Sequence, residues 1–113
     1  MKSKIIALSK NEDFKTLLKK RKISNKYVTI FFGYILKKNN QKLNISFVTK
    51  KKIGNAVKRN KIKRRLRNII DDAVKEISLK YKYSYLVIAK STMLNNEFKI
   101  IKETLFQDLK KIK

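Results

Sequence analysis

The chain contains no cysteine, histidine, proline or tryptophan, and only two glycines. Without cysteine there is no disulfide framework and no thiolate chemistry. Without cysteine and histidine together, a zinc centre and any Ser–His or Cys–His nucleophile are excluded. The two glycines, Gly33 and Gly54, stand far apart, so there is no glycine-rich phosphate loop. Acidic residues are scarce, 8 in 113. The neighbours Glu12–Asp13 and Asp71–Asp72 would point about 100° apart on a helix, which makes them poor paired metal ligands; capping and charge balance explain them better. No catalytic and no metal-binding residue is therefore expected, and a stand-alone nuclease is disfavoured. The longest apolar run near the start, residues 5–8, falls far short of a signal-peptide core or a membrane span. A soluble, cytoplasmic protein without a membrane partner is expected.

What is abundant is positive charge. Lys and Arg number 31, for a formal net charge of +23. Charge of this size speaks to partners rather than to fold, and points to a polyanion: nucleic acid first, anionic membrane second. A compositional bias toward Ile, Lys and Asn accounts for some of the lysine, but not for where the arginines fall. Of the five, Arg21, Arg59, Arg64, Arg65 and Arg67, four lie within nine residues. The planar, forked guanidinium is the side chain suited to phosphate and base contacts. Apolar residues make up 42% of the chain, too many for a disordered basic tail. The length suits one domain, residues 1–113, with a modest core.

The order of elements follows from periodicity. Asn11 or Ser9 can cap a short helix with Glu12 and Asp13 in its first turn and Phe14, Leu17 and Leu18 on its apolar side. Residues 21–26 read as a connection. Residues 27–36, rich in β-branched and aromatic side chains, read as a strand with Tyr27, Phe31 and Ile35 on one face and Val28, Ile30, Phe32, Tyr34 and Leu36 on the other. Asn39 and Asn40 signal a hairpin turn over residues 37–42, leading into a returning strand over 43–49. After a loop hinged at Gly54, Asn55 or a neighbour starts a long helix reaching about Lys80. Its stripe is Ile62, Leu66, Ile69, Ile70, Ala73 and Ile77. Residues 83–89 suit a fully buried strand parallel to an earlier one. Residues 97–112 form a last helix with the core stripe Phe98, Ile101, Leu105, Leu109 and Ile112. The result is a small α/β sandwich with a mixed sheet.

The long helix carries the functional signal. Positions 50–67 hold ten basic residues and no acidic one. The apolar stripe runs through them, so the segment is folded rather than a loose tail. At about 100° per residue, Asn60, Arg64 and Arg67 lie opposite the stripe. Lys61, Arg65 and Asn68 form one flank, and Arg59 and Lys63 the other. Lys58, Arg59, Lys61 and Lys63 crowd the helix N-terminus, where cations are disfavoured by about 0.3–1 kcal/mol each, while Asp71, Asp72 and Glu76 sit further on. An anion bound at that end resolves the conflict.

The run from Lys51 to Arg67, KKIGNAVKRNKIKRRLR, resembles the signature helix of the bacterial ribonuclease P protein subunit: paired lysines, Ala-Val, then an Arg-Asn-Arg motif followed by further basic residues. Asn11-Glu12-Asp13-Phe14 is similar to that family's first helix, and length and element order agree over essentially the whole chain. The resemblance implies an α/β (α+β) two-layer sandwich with about four strands and three helices, in the order α-β-β-β-α-β-α, with a left-handed crossover. It implies the protein subunit of a ribonucleoprotein endoribonuclease that removes the 5′ leader from precursor tRNA. In that family the partner RNA carries the chemistry with bound Mg²⁺, the protein is not catalytic alone, and no organic cofactor is used. By the same resemblance Lys51, Lys52, Asn55, Arg59, Asn60, Lys63, Arg64 and Arg67 match the family's RNA-binding residues; together with Lys58, Lys61 and Arg65 of the same basic run they make up the expected RNA-binding set. A leader cleft between the open sheet face and the helix takes Phe14, Leu18, Ile30 and Phe32. Lys61 stands for the motif's second arginine, Leu18 for a second aromatic, and Ile30 for a frequent tyrosine, so Phe32 or Tyr34 is left to supply the strand's aromatic.

The residues themselves favour the same class. A strand apolar on both faces leaves one face over once the core is made, and an exposed apolar face beside a basic helix can stack unpaired bases. For any one aromatic, burial in the core is the commoner fate. A general or ribosomal RNA-binding protein would share the charge but gives no reason for the motif. A membrane-surface protein needs a bare apolar helix face, which here is needed for the core. A helix-turn-helix needs a second helix where residues 83–89 read as strand.

Overall fold

In a computed structural model, residues 5–8, 11–35 and 42–112 are described. They form a five-stranded mixed sheet covered on one face by two helices and on part of the other by a third. The strands are β1 (Ile5–Ile6), β2 (Arg21–Ser24), β3 (Val28–Gly33), β4 (Leu43–Val48) and β5 (Ser84–Ala89), in the spatial order β1-β4-β5-β3-β2. The helices are α1 (Asn11–Leu17), α2 (Ala56–Glu76) and α3 (Phe98–Lys111). Short 3₁₀ turns, Lys51–Ile53 and Ser91–Leu94, lead into α2 and out of β5.

The apolar run of β5 makes it the central strand, as a strand buried on both faces should be. It pairs parallel to β4 and antiparallel to β3. The hairpin expected between β3 and β4 is therefore not formed as a pair. The long connection through α2 brings β5 back between them, and the asparagines taken as its turn lie outside the described residues. Residues 21–24, read as connection, are instead the edge strand β2, antiparallel to β3. Ser9, one of the two proposed caps of α1, also lies outside the described residues.

Side-chain alternation sorts the strands into two clusters. Val28, Ile30, Phe32, Ile45, Tyr85 and Val87 face the stripe of α2 and the inner side of α3. All five buried residues of α2, Ile62, Leu66, Ile69, Ile70 and Ala73, belong to the expected stripe. The helix ends at Glu76 rather than near Lys80, because Ile77 turns extended (φ −131°, ψ 161°). On the opposite face Leu8, Leu17 and Leu86 are buried, with Phe14, Phe31, Ile35, Val48 and Ile88 packed around them. Here Ser46 fastens the segment before α1 to the sheet: its Oγ accepts from the Leu8 N–H at 2.8 Å and donates to the Leu8 carbonyl at 3.0 Å.

Candidate nucleic-acid interface

The basic helix begins at a joint the sequence specifies locally. Gly54 sits at φ 156°, ψ −165°, a conformation open in practice only to glycine. A Cβ there would also lie 2.8 Å from Lys58 Cδ. Asn55 then caps α2, its side-chain oxygen accepting from the Lys58 N–H at 3.0 Å. The first turn holds no acidic residue. Its partial positive charge thus adds to that of the lysines and arginines around it.

Lys51, Lys52, Asn55, Lys58, Asn60, Lys61, Lys63, Arg64 and Arg67 are all exposed, in keeping with the faces drawn from the sequence. Arg59 is half-buried, and its Nε has no hydrogen-bond partner. Arg65 is different. Its guanidinium donates to the carbonyls of Met93 (3.0 Å) and Asn96 (3.1 Å), tying α2 to the turn after β5. Among the described residues, no ion pair involves a base of positions 50–67. Two of the acids of α2 face α3: Lys102 reaches Asp72 at 3.1 Å and Glu76 at 3.4 Å. The hydrogen bond to Asp72 is the main reason the Lys102 ammonium holds its proton above the ordinary lysine range.

A groove of about 350 Å³ opens where the 3₁₀ turn before α2 approaches the sheet. Lys50, Lys52 and Ile53 form one wall, Thr29 and Ile88 the floor, and Lys90 and Ser91 the far side. Thr29 and Ile88 are cross-strand partners on the α1 face. Ile88 also packs into the cluster that holds Phe14 and Phe31, so the groove continues toward α1 over an apolar floor. Cations around an apolar floor suit a strand of nucleic acid, with phosphates at the rim and bases on the floor.

Two of the four residues assigned to the cleft do not belong to it. Ile30 (0% exposed) and Phe32 (2%) lie in the main core, on the opposite face from Phe14. Both faces of β3 are apolar, so its sequence gives the alternation but not which half faces the helices. The pairing with β5 assigns the open side to Thr29 and Phe31. Phe14 is half-buried on that side, and Leu18, in the turn after α1, is 49% exposed. The sequence reading counted Lys50 in the basic run without giving it a place in the cleft, and passed over Ile88, Lys90 and Ser91. Lys90 carried a usable signal, as the charge that ends the apolar run of β5.

Similarity to known proteins agrees with this geometry. A family model described as Ribonuclease P matches residues 3–113. The ribonuclease P protein component of Carboxydothermus hydrogenoformans is 35% identical over 111 residues, covering 94% of this chain and 90% of the relative. That of Mesoplasma florum is 35% identical over 98 residues, covering 87% and 86%. The RNase P protein of Staphylococcus aureus superposes with a TM-score of 0.77 at 26% identity, covering 92% of each chain. The RNase P protein of Thermotoga maritima, at 23% identity, shares the fold with a TM-score of 0.79 over 96% of this chain and 98% of its own. With the match running through the basic helix and the whole sheet, this chain belongs to the ribonuclease P protein family.

Proposed function

We propose that the chain is the protein subunit of ribonuclease P and assists a catalytic RNA in removing the 5′ leader from precursor tRNA. One observation supports this above the others: a helix whose N-terminal half is basic and free of ion pairs stands against a cation-rimmed groove with an apolar floor. The exposed face of α2 binds the structured RNA, with Asn60, Arg64 and Arg67 outermost. The groove takes the single-stranded leader, its phosphates near Lys50, Lys52 and Lys90, and its bases toward Ile88, Phe31 and Phe14. Arg65 acts by position, holding α2 against the turn that carries Ser91.

The family implies Mg²⁺ at the reacting phosphate. Among the described residues no group of three or more Asp or Glu comes together. The reading leaves the ion and the bond breaking to the RNA, while the protein binds, orients and screens phosphate charge. No helix among the described residues is long and apolar enough to cross a membrane, and a cytoplasmic location fits this role.

The test is cleavage of a precursor tRNA at low Mg²⁺ by the catalytic RNA, with and without the protein, and by the protein alone. Rescue only in the combination is expected. Cleavage by the protein alone, or no effect of adding it, overturns the reading. Arg64→Ala should weaken assembly with the RNA, whereas Phe14→Ala should weaken leader binding and leave assembly intact. Identical effects would break the two-surface arrangement.

A further inference from the structure

Edge strand β2 meets the groove at one end and runs away from it at the other. Its side chains on the groove's side of the sheet are Lys22 and Ser24, and Lys20 in the turn before it follows the same alternation. Each lies over β3. Ser24 Oγ is 3.1 Å from Thr29 Oγ1 and receives a hydrogen bond from Lys90 Nζ at 3.0 Å. Both of those partners line the groove. Two residues along, the Lys22 ammonium stands 5.9 Å from the centre of the Phe31 ring. Two further, the stem of Lys20 lies on Gly33: a Cβ at Gly33 would come within 2.8 Å of Lys20 Cγ and 2.9 Å of its Cβ. Gly33 has no positive φ, so its backbone does not require glycine; the missing side chain leaves room for the lysine.

The strand is also held firmly. Asn25 Oδ1 accepts from the N–H groups of Tyr27 (2.7 Å) and Val28 (3.0 Å), and Asn25 Nδ2 donates to buried Asp108 on α3 at 2.7 Å. Thr92 Oγ1 donates to the Lys26 carbonyl at 2.6 Å. No acidic residue occurs anywhere in positions 14–70.

Resting on the leader-groove reading above, we infer that the groove side of β2 is a rail for the sugar–phosphate backbone of single-stranded RNA leaving the groove, with Lys22 and Lys20 contacting phosphates of leader nucleotides beyond those on the groove floor. Lysines on an edge strand also guard against sheet-to-sheet pairing. That role asks for charge at the edge. It does not ask for two lysines seated in register on one face, one of them over a glycine, in line with the groove.

The experiment measures the affinity of the holoenzyme, this chain with its catalytic RNA, for precursor tRNAs whose leader is lengthened one nucleotide at a time. With the native chain, affinity should keep rising after the groove is filled. With Lys20→Gln/Lys22→Gln the rise should stop there, so that the loss grows with leader length. With long leaders the log–log salt slope should fall by about 1.4, at ~0.7 per phosphate for two phosphates. Gly33→Ala, which pushes Lys20 aside, should reproduce part of this while keeping every charge. A variant curve that overlays the native one, or a loss equal at all lengths, overturns the rail. Phe31→Ala separates the two readings: if it weakens leaders that just fill the groove while the lysine variant does nothing, only the rail fails. If both variants are silent, the groove reading fails with it.

Discussion

The same strands make both faces of the sheet, and the two faces are used in opposite ways. On one, Val28, Ile30 and Phe32 are sealed beneath two helices. On the other, one residue out of step, Thr29 and Phe31 look onto α1 and the groove. Helix α1 is only seven residues long, so it covers part of its face and leaves the rest to a ligand. Neighbouring phenylalanines thus have different duties: Phe32 supports the fold, while Phe31 sits at the edge of the proposed binding surface. The division comes from the two-residue period of a strand, which sends successive side chains to opposite sides.

Substituting those two neighbours tests the division most directly. Phe32→Ala should cost about 3–5 kcal/mol, the range for a large aromatic removed from a packed core, out of a total of roughly 5–15 kcal/mol for a small domain. Urea unfolding measures it. Phe31→Ala should cost much less stability and instead weaken leader binding by about 1–3 kcal/mol, the range for one stacked base. Equal losses of stability, with leader affinity untouched, would mean that both faces are core. A smaller effect is expected at the seam that holds the α1 face together. Ser46→Ala leaves the buried N–H and carbonyl of Leu8 without their partner and should cost about 1–3 kcal/mol. Because it loosens the segment before α1, the loss should appear as faster hydrogen exchange there than in α2.

How much of this was legible in the sequence depends on how local each feature is. The start, cap and stripe of α2 could be read because Gly54, Asn55 and the run from Ile62 to Ala73 act within a few turns of chain. The exposed arc of Asn60, Arg64 and Arg67 followed from the same period. The end of α2 could not be read in that way. No glycine or proline stops it, and residues 77–83 instead alternate between half-buried and exposed, through a turn at 80–83, with Ile77, Leu79, Tyr81 and Tyr83 packed against the core. The residues of β2 were read as a connection because the strand is short, basic and at an edge, without the alternating apolar pattern that marks a half-buried strand; only the family's element order, with three strands before the long helix, called for a strand there. The neighbours of β3 and β4 were missed because β5, which separates them, arrives only after the whole of α2. Ile30 and Phe32 were placed in the cleft because a strand apolar on both sides does not announce its phase. Arg65 was grouped with the RNA-facing arginines because its carbonyl partners, Met93 and Asn96, lie far along the chain and are identified only by the fold.

The smallest effect expected at neutral pH concerns Tyr85, a tyrosine sealed into the core face beside Phe32. Tyr85 is 1% exposed, and its hydroxyl donates to the Lys80 carbonyl at 2.8 Å. Burial disfavours the phenolate and raises the pKa of the group well above the ordinary tyrosine value near 10. A group whose pKa is raised on folding stabilises the native state fully below its unfolded value. Its contribution falls as pH climbs toward the folded value, because the unfolded chain loses the proton first. Native stability should therefore decline above about pH 10 by this route. Tyr85→Phe should cost only about 0.5–1.5 kcal/mol at pH 7, one hydrogen bond. The same substitution should flatten the alkaline decline, so that the stabilities of variant and native chain converge as pH rises. Two curves that stay parallel from pH 7 to 11 would show that the phenol is not sealed, and that the core face is open to water at this corner as the groove face is at the other end.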